Sequence, residues 1–384
     1  MTTEKIVHIA EAFGGGVLSM LTHLANHAAE TGADVTVLHS IRSETPADFA
    51  ALFRPDVRLI HVGMAREVSP RQDWLSLREL IKNLRDCNPA VIHLHSSKAG
   101  VLGRMAARVA APNARVLYSP HGLSFLRRDV SRAKQFAYLS FERIAARLGG
   151  TVVACSRSEL GEIRGKVRAK SAVLVENGVD VVEIPSRRMR DDRKIAIGMS
   201  GRASFQKNHE AFVRLARRLH GPDTTFVWIG GDRDEIPDAD ERDAVVCSGW
   251  LTRARALELT SELDIYVQTS RWEGMPVALI EAQVAGIPAV VTDVVGNRDV
   301  VIHGVTGYIA SNVEEMAGYL ARLRDDRQLR EEMGAAARQL ASYRFSMSAI
   351  FRRWNALYGL RPVEPATDAR DLKRVGADQV KPQF

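Results

Sequence analysis

The chain has 384 residues, 46% of them hydrophobic, with 53 Lys/Arg against 46 Asp/Glu. That length is too great for one ordinary core and suits two domains of a globular protein. No apolar run reaches the ~18 residues of a membrane span, and Cys87, Cys155 and Cys247 are too few and too scattered for a disulfide framework or a zinc cluster.

In chain order, the strand "KIVHIA" runs into "GGG", a helical "VLSMLTHLANHAAETG" and the strand "ADVTVLHS". There follow "VIHLHS" with "KAGVLGRMAARVA", then "RVLYSPHG", then "TVVACS" with "RSELGEIRGKV". Short apolar runs alternating with helix-period segments predict a parallel sheet covered on both faces. Residues 179–194, with a proline and a charge run, read as an interdomain linker. The pattern restarts with "KIAIGMSGR" and continues through "TTFVWIGG", "AVVCSGW", "DIYVQTS", "PVALIEAQVAG" and "IPAVVTD". The fold class is therefore α/β, with two Rossmann-like, doubly wound domains: about 1–185 and 186–345, then a terminal helix (346–361) and a polar tail (362–384). Ligands of such sheets bind beyond the carboxyl ends of the strands, so two facing domains place the site in the cleft between them.

Several segments carry candidate chemistry. The glycines at 14–16, including Gly15 and Gly16, allow a phosphate or sugar to approach the backbone at a helix start, or form a turn with no ligand. The dinucleotide fingerprint fails, because its third glycine falls on Ser19 and the next strand ends in His39 and Ser40. His93 and His95 share a strand face but lack further ligands at a metal spacing; a cleft histidine at the strand end is the alternative. His121, in "SPHGLSF", lies where the chain turns at a sheet's carboxyl edge, in a structural or a functional role. Arg202 and Lys207 sit in a loop before a helix, either as a solvated surface or as an anion site backed by helix N–H groups.

In "RWEGMPVALIEAQVAGIP" (271–288), Pro276 fits the first turn of a helix that ends at Gly286. Glu281 then lies about 8 Å along it, at ~1.5 Å per residue, and Glu273 lies in the preceding loop. This layout suits two acids on different parts of one long ligand, with the backbone of 275–277 between them, better than a hydrolytic pair. Between 101 and 150, nine Lys/Arg face only Asp129 and Glu142. In 125–148, Arg127, Arg128, Arg132 and Lys134 alternate with Phe125, Leu126, Phe136, Tyr138, Leu139 and Phe141, as in an amphipathic core helix or a surface for anionic lipid.

"EGMPVALIEA" resembles the E-x7-E motif of the family-four retaining glycosyltransferases, which have the GT-B fold. "GGG", "PHG", "VENGVD" (175–180), "GR…QKN" and "GNRDVVIHGVTGYI" (296–309) follow in the family's order over roughly residues 5–360. Gln283 stands where the family usually has methionine. The resemblance implies that Glu273 contacts the transferred sugar, Glu281 the ribose hydroxyls, and Arg202 and Lys207 the diphosphate. Backbone groups near Gly15, Gly16, Met275 and Pro276 would join the diphosphate site, Trp250 and Leu251 would border the base, and His121 would sit near the reacting sugar. It further implies a nucleoside-diphosphate sugar donor, UDP foremost, no metal and no separate cofactor. The acceptor would be a glycan or polyprenyl-diphosphate-linked molecule, and the location cytoplasmic, on the inner membrane face through 125–148; nucleic acid is not expected. A sugar-nucleotide epimerase or glycan phosphorylase on the same fold, and a non-catalytic sugar-binding protein, are the alternatives. "DRDE" (232–235) is the sole candidate metal motif and otherwise a surface turn.

Overall fold

The structure, a computed structural model, describes residues 3–65, 67–188, 194–236, 238 and 242–361. The expected tail 362–384 and linker residues 189–193 lie outside the described residues.

The first domain holds strands β1 (Lys5–Ala10), β2 (Asp34–His39), β3 (Arg58–His61), β4 (Val91–His95), β5 (Arg115–Ser119), β6 (Thr151–Ala154) and β7 (Ala172–Leu174). They form one parallel sheet in the order β3-β2-β1-β4-β5-β6-β7. Its helices are α1 (Gly15–Glu30), α2 (Pro70–Cys87), α3 (Ser97–Ala110), α4 (Arg132–Arg147) and α5 (Arg157–Glu162). β1, β2 and β4 are buried along nearly all of their length, as strands covered on both faces must be.

The second domain repeats the plan. Strands β8 (Ile195–Ser200), β9 (Thr224–Ile229), β10 (Val245–Cys247), β11 (Ile265–Gln268), β12 (Ala289–Thr292) and β13 (Gly307–Ala310) run parallel in the order β10-β9-β8-β11-β12-β13. Around them lie α6 (His209–Leu219), α7 (Arg253–Ser261), α8 (Val277–Ala285), the single turn α9 (Asn297–Val300), α10 (Val313–Asp325) and α11 (Arg327–Arg344). In each sheet the strand order reverses beside the first strand, between β1 and β4 and between β8 and β11. Those switch points open the crevices in which such folds bind ligands.

The last helix, α12 (Met347–Tyr358), belongs to the first domain. Met347, Ile350, Trp354 and Tyr358 are buried in the core formed by Ile6, Leu21, Leu24 and Val35. The chain crosses between domains twice at one point, where Val179 N–H donates to Phe345 O (2.9 Å) and Met347 N–H donates to Val179 O (3.1 Å). Arg344 and Arg353 both pair with buried Glu176 beside this crossing. The double crossing fixes how the two sheets face each other.

Candidate active site

The first-domain wall starts at the end of β1. Gly14 is the N-cap of α1, so Gly15 and Gly16 are its first two residues, whereas the sequence pattern puts the helix start at Val17. Gly15 has φ +53° and open space around it. A Cβ on Gly16 would lie 3.5 Å from Val277 Cγ2, so this loop touches the first turn of α8 across the cleft.

His121 forms the second part of that wall. It has φ +54°, and Gly122 beside it has φ +109°. The turn is held from behind by Glu159, which accepts N–H bonds from Gly122 (3.0 Å) and Cys155 (2.8 Å). Burial pushes the Glu159 carboxyl above its ordinary pKa, and those N–H bonds partly offset the rise. Across the cleft, a Cβ on Gly274 would sit 2.8 Å from Gly122 N and 3.1 Å from His121 C. Only glycine allows "PHG" and "EGMP" to meet so closely.

On the second-domain wall, Glu273 is buried and accepts from Lys207 Nζ (2.8 Å), Ser270 Oγ (2.7 Å), Gln206 Nε2 (3.3 Å) and Gln268 Nε2 (3.3 Å). Gln268 also donates to Asn297 Oδ1 (3.2 Å), tying α9 into the network. Lys207 is not the solvated loop cation that its position in the sequence allows: its side chain is only 21% exposed. Arg202 is 55% exposed and pairs with Glu44 of the first domain (3.7 Å). Glu44 in turn packs on the glycine loop, 2.7 Å from where a Gly14 Cβ would be.

Pro276 is the N-cap of α8 rather than a residue of its first turn, and Gly286 closes the helix at φ +90°. As proline, Pro276 offers no N–H; the unpartnered donors of this helix start are those of Val277, Ala278 and Leu279. The Met275 carbonyl accepts from Asn177 Nδ2 (2.9 Å), which anchors the loop to the interdomain segment. Glu281 pairs with Arg253 (2.8 Å), whose other amino group bonds Glu183 (2.8 Å). Burial raises the Glu281 pKa and Arg253 partly lowers it again. His23 of α1 faces the same guanidinium; burial first, then that charge, lowers its pKa. Trp250 is exposed, while Leu251 packs on the core of its domain, in the loop that leads into Arg253. Glu273 and Glu281 thus have separate partners and do not form a dyad.

Behind His121 a row of imidazoles runs into the first domain. His121 Nε2 lies 2.9 Å from His95 Nδ1, and His95 Nε2 lies 3.0 Å from His8 Nδ1. His93 bonds Tyr358 Oη (2.7 Å) and Ser119 Oγ (2.9 Å). Burial lowers the His8 pKa to about 3 and that of His121 to about 4, and holds those of His93 and His95 well down. Among the described residues, His8, His93 and His95 are the one group with ligand atoms close enough for a metal, within 4.8 Å. Both nitrogens of His93 and of His95 are already hydrogen-bonded, so the group fits a metal poorly. "DRDE" forms a short 3-10 turn closed by its own capping box.

Sequence reasoning missed Gln206, Gln268, Ser270 and Asn297 around Glu273, and Glu44 and Arg253 as internal counter-ions. Gln268 and Ser270, at the end of β11, carried the available signal, polar residues at a strand end.

Comparison with known proteins identifies the family and the fold. Residues 14–183 match the model "Glycosyltransferase Family 4" and residues 182–340 match "Glycosyl transferases group 1". The chain belongs to the family-four glycosyltransferases of the GT-B fold. It is 29% identical to the UDP-Gal:alpha-D-GlcNAc-diphosphoundecaprenol alpha-1,3-galactosyltransferase of Escherichia coli, over 69% of this chain and 74% of that one. It is 23% identical to the capsular polysaccharide biosynthesis glycosyltransferase CapM of Staphylococcus aureus, over 81% and 88%. Its fold is shared with the sucrose-phosphate synthase of Thermosynechococcus elongatus, with TM-score 0.77, 18% identity and coverage of 93% and 98%.

Proposed function

We propose that this glycosyltransferase moves a sugar, with retention and without a metal, from a UDP-sugar to a glycan or polyprenyl-diphosphate-linked acceptor in cell-surface polysaccharide synthesis. The observation that carries this reading is the apposition of Gly274, which follows the Lys207-paired Glu273, to the His121 turn across the cleft. The galactosyltransferase activity of the Escherichia coli relative supports the choice of donor and acceptor class.

On this reading Glu273 receives hydroxyls of the transferred sugar, and Glu281 exchanges the Arg253 guanidinium for ribose hydroxyls. Arg202 exchanges the Glu44 carboxylate for a donor phosphate. Trp250 and Leu251 border the base. The bond from the anomeric carbon to the diphosphate oxygen breaks through an oxocarbenium-like state. The acceptor hydroxyl attacks from the same face and its proton passes to the leaving phosphate. Lys207, Arg202 and the N–H groups at the start of α8 stabilise the growing charge; preorganised charge of this kind often accelerates a reaction more than any other single effect.

A turnover and thermal-shift panel of UDP-, GDP- and ADP-sugars in excess EDTA tests the reading. A donor at 100 times its Kd stabilises the fold by about 2.7 kcal/mol. The product anomer, read by NMR, matches that of the donor; an inverted product, or activity lost in EDTA and restored by Mn²⁺, overturns the reading.

A further inference from the structure

The row His121–His95–His8 has a direction, and the direction matters for chemistry. His8 and His93 are cross-strand partners on β1 and β4, and His95 lies two residues on along the same face. His8 and His95 are fully buried, and the depressed pKa values of all three rings keep them neutral. A neutral imidazole has one N–H and one bare nitrogen. His95 uses both nitrogens in the row, so it donates on one side and accepts on the other. The two bonds must therefore point the same way.

Two arrangements satisfy that condition. In the inward one, His121 Nε2–H donates to His95, His95 Nε2–H donates to His8 Nδ1, and the His8 proton lies on Nε2. In the outward one, His8 Nδ1–H donates to His95, His95 Nδ1–H donates to His121 Nε2, and the His121 proton lies on Nδ1. His8 Nε2 is buried and has no hydrogen-bond partner. The inward arrangement would place an N–H on that atom, and orphaned buried donors are rarer than under-satisfied acceptors. The outward arrangement leaves only a bare lone pair there.

We propose that His8 and His95 are positioning residues that hold His121 as its Nδ1–H tautomer, so that it presents an N–H donor to the transferred sugar. The sugar contact rests on the transferase reading; the tautomer does not. With Nε2 accepting from His95 and Nδ1 protonated, His121 has no site left to take a proton. It orients a sugar oxygen, and the acceptor's proton must go elsewhere, to the leaving phosphate. No proton changes hands along the row.

Long-range ¹H–¹⁵N NMR on protein with ring-labelled histidine reads the tautomer directly, with the 11 histidines assigned through single substitutions. His121, His95 and His8 are each expected as Nδ1–H; wild-type His121 as Nε2–H, or as an even mixture, overturns the proposal. His8→Leu removes the first donor of the row. It should convert His121 to a mixture and lower kcat roughly tenfold, with donor KM changed less than about twofold, the split that marks a lost transition-state contact. His8→Asn puts an amide N–H where Nδ1–H stood and should restore kcat to within about threefold. Unchanged kcat in a folded His8→Leu protein overturns the positioning role. A wild type that transfers no sugar but shows the expected tautomer refutes the transferase reading while the tautomer assignment stands.

Discussion

Arg253, the first residue of α7, reaches Glu281 of α8, Nη2 to Oε1 at 2.8 Å, and so occupies the acid assigned to ribose. The same guanidinium holds Glu183, so it keeps a partner if Glu281 is neutralised. Glu281→Gln should raise donor KM about tenfold with little change in kcat, as expected when uniform binding is lost. Unfolding free energy should move by less than about 1 kcal/mol, because a pair with an exposed partner contributes little. An unchanged donor KM would remove Glu281 from the donor site.

Lys207→Ala should lower kcat by roughly 10²-fold or more. It should also destabilise the fold by about 1–3 kcal/mol, because buried Glu273 loses its charged donor. The remaining bonds from Ser270, Gln206 and Gln268 keep the loss from being larger. Turnover equal to wild type would contradict the role.

Gly274→Ala forces a methyl into 2.8 Å of Gly122 N and 3.1 Å of His121 C, both backbone atoms that cannot rotate away. The "PHG" and "EGMP" turns must separate, and kcat should fall by about tenfold or more, since misplacing reacting groups by even 1 Å is costly. Overpacking should take about 1–3 kcal/mol of stability. Wild-type kinetics in this variant would show that the two turns need not touch during the reaction.

Acid should unfold this protein earlier than its carboxylates alone require. The His8 pKa falls to about 3, and those of His39 and His121 to about 4, against 6.5 in the unfolded chain. Between pH 6.5 and about 4, the unfolded state therefore binds protons that the native state does not. Stability from these groups is complete above pH 6.5 and declines as pH falls, by up to about 1.4 kcal/mol per pH unit for each imidazole. Urea midpoints at pH 7 and pH 4.5 measure it, and equal midpoints would exclude neutral buried imidazoles.

On α4 and the turn before it, Arg128, Arg132 and Lys134 are exposed, as are Phe136 (66%), Phe141 (54%) and Ile144 (55%). Phe125 is buried and Arg127 is bound to Asp129 (2.6 Å), so the sequence pattern divides between core and surface. At about 1 kcal/mol per basic residue near an anionic surface, these three cations should give salt-sensitive binding to phosphatidylglycerol vesicles but not to phosphatidylcholine vesicles. Changing all three to Glu should abolish binding and leave donor affinity intact. Equal sedimentation of wild type and triple variant would assign the face a purely structural role.

The fold was legible because parallel strands buried on both faces leave an unmistakable run of Val, Ile and Leu, as in "KIVHIA" and "IPAVVTD". Glu273 and His121 were legible because they lie just past strands and beside glycine or proline, and Lys207 because it lies in the loop between a strand and a helix. The partners were not. Glu44 meets Arg202, and Arg253 meets Glu281, through tertiary approach between segments separated by 158 and 28 residues. The histidine row was hidden for the same reason, since β1 and β4 become neighbours only at the switch in strand order. Nor does a sequence separate Arg127, tied to its neighbour Asp129, from the exposed Arg128.

The placement of α12 has a consequence for biosynthesis. A ribosome releases the seven strands of the first domain early, but Ile350, Trp354 and Tyr358, which fill its core, leave the exit tunnel only after the whole second domain. Until then Ile6, Leu21 and Leu24 lack their cover and His93 lacks the Tyr358 hydroxyl. The nascent first domain must therefore wait, apolar face open, through synthesis of the entire second domain. Chaperone occupancy during translation should persist until residue 358 emerges, and a chain stopped at 346 should aggregate even with both sheets complete.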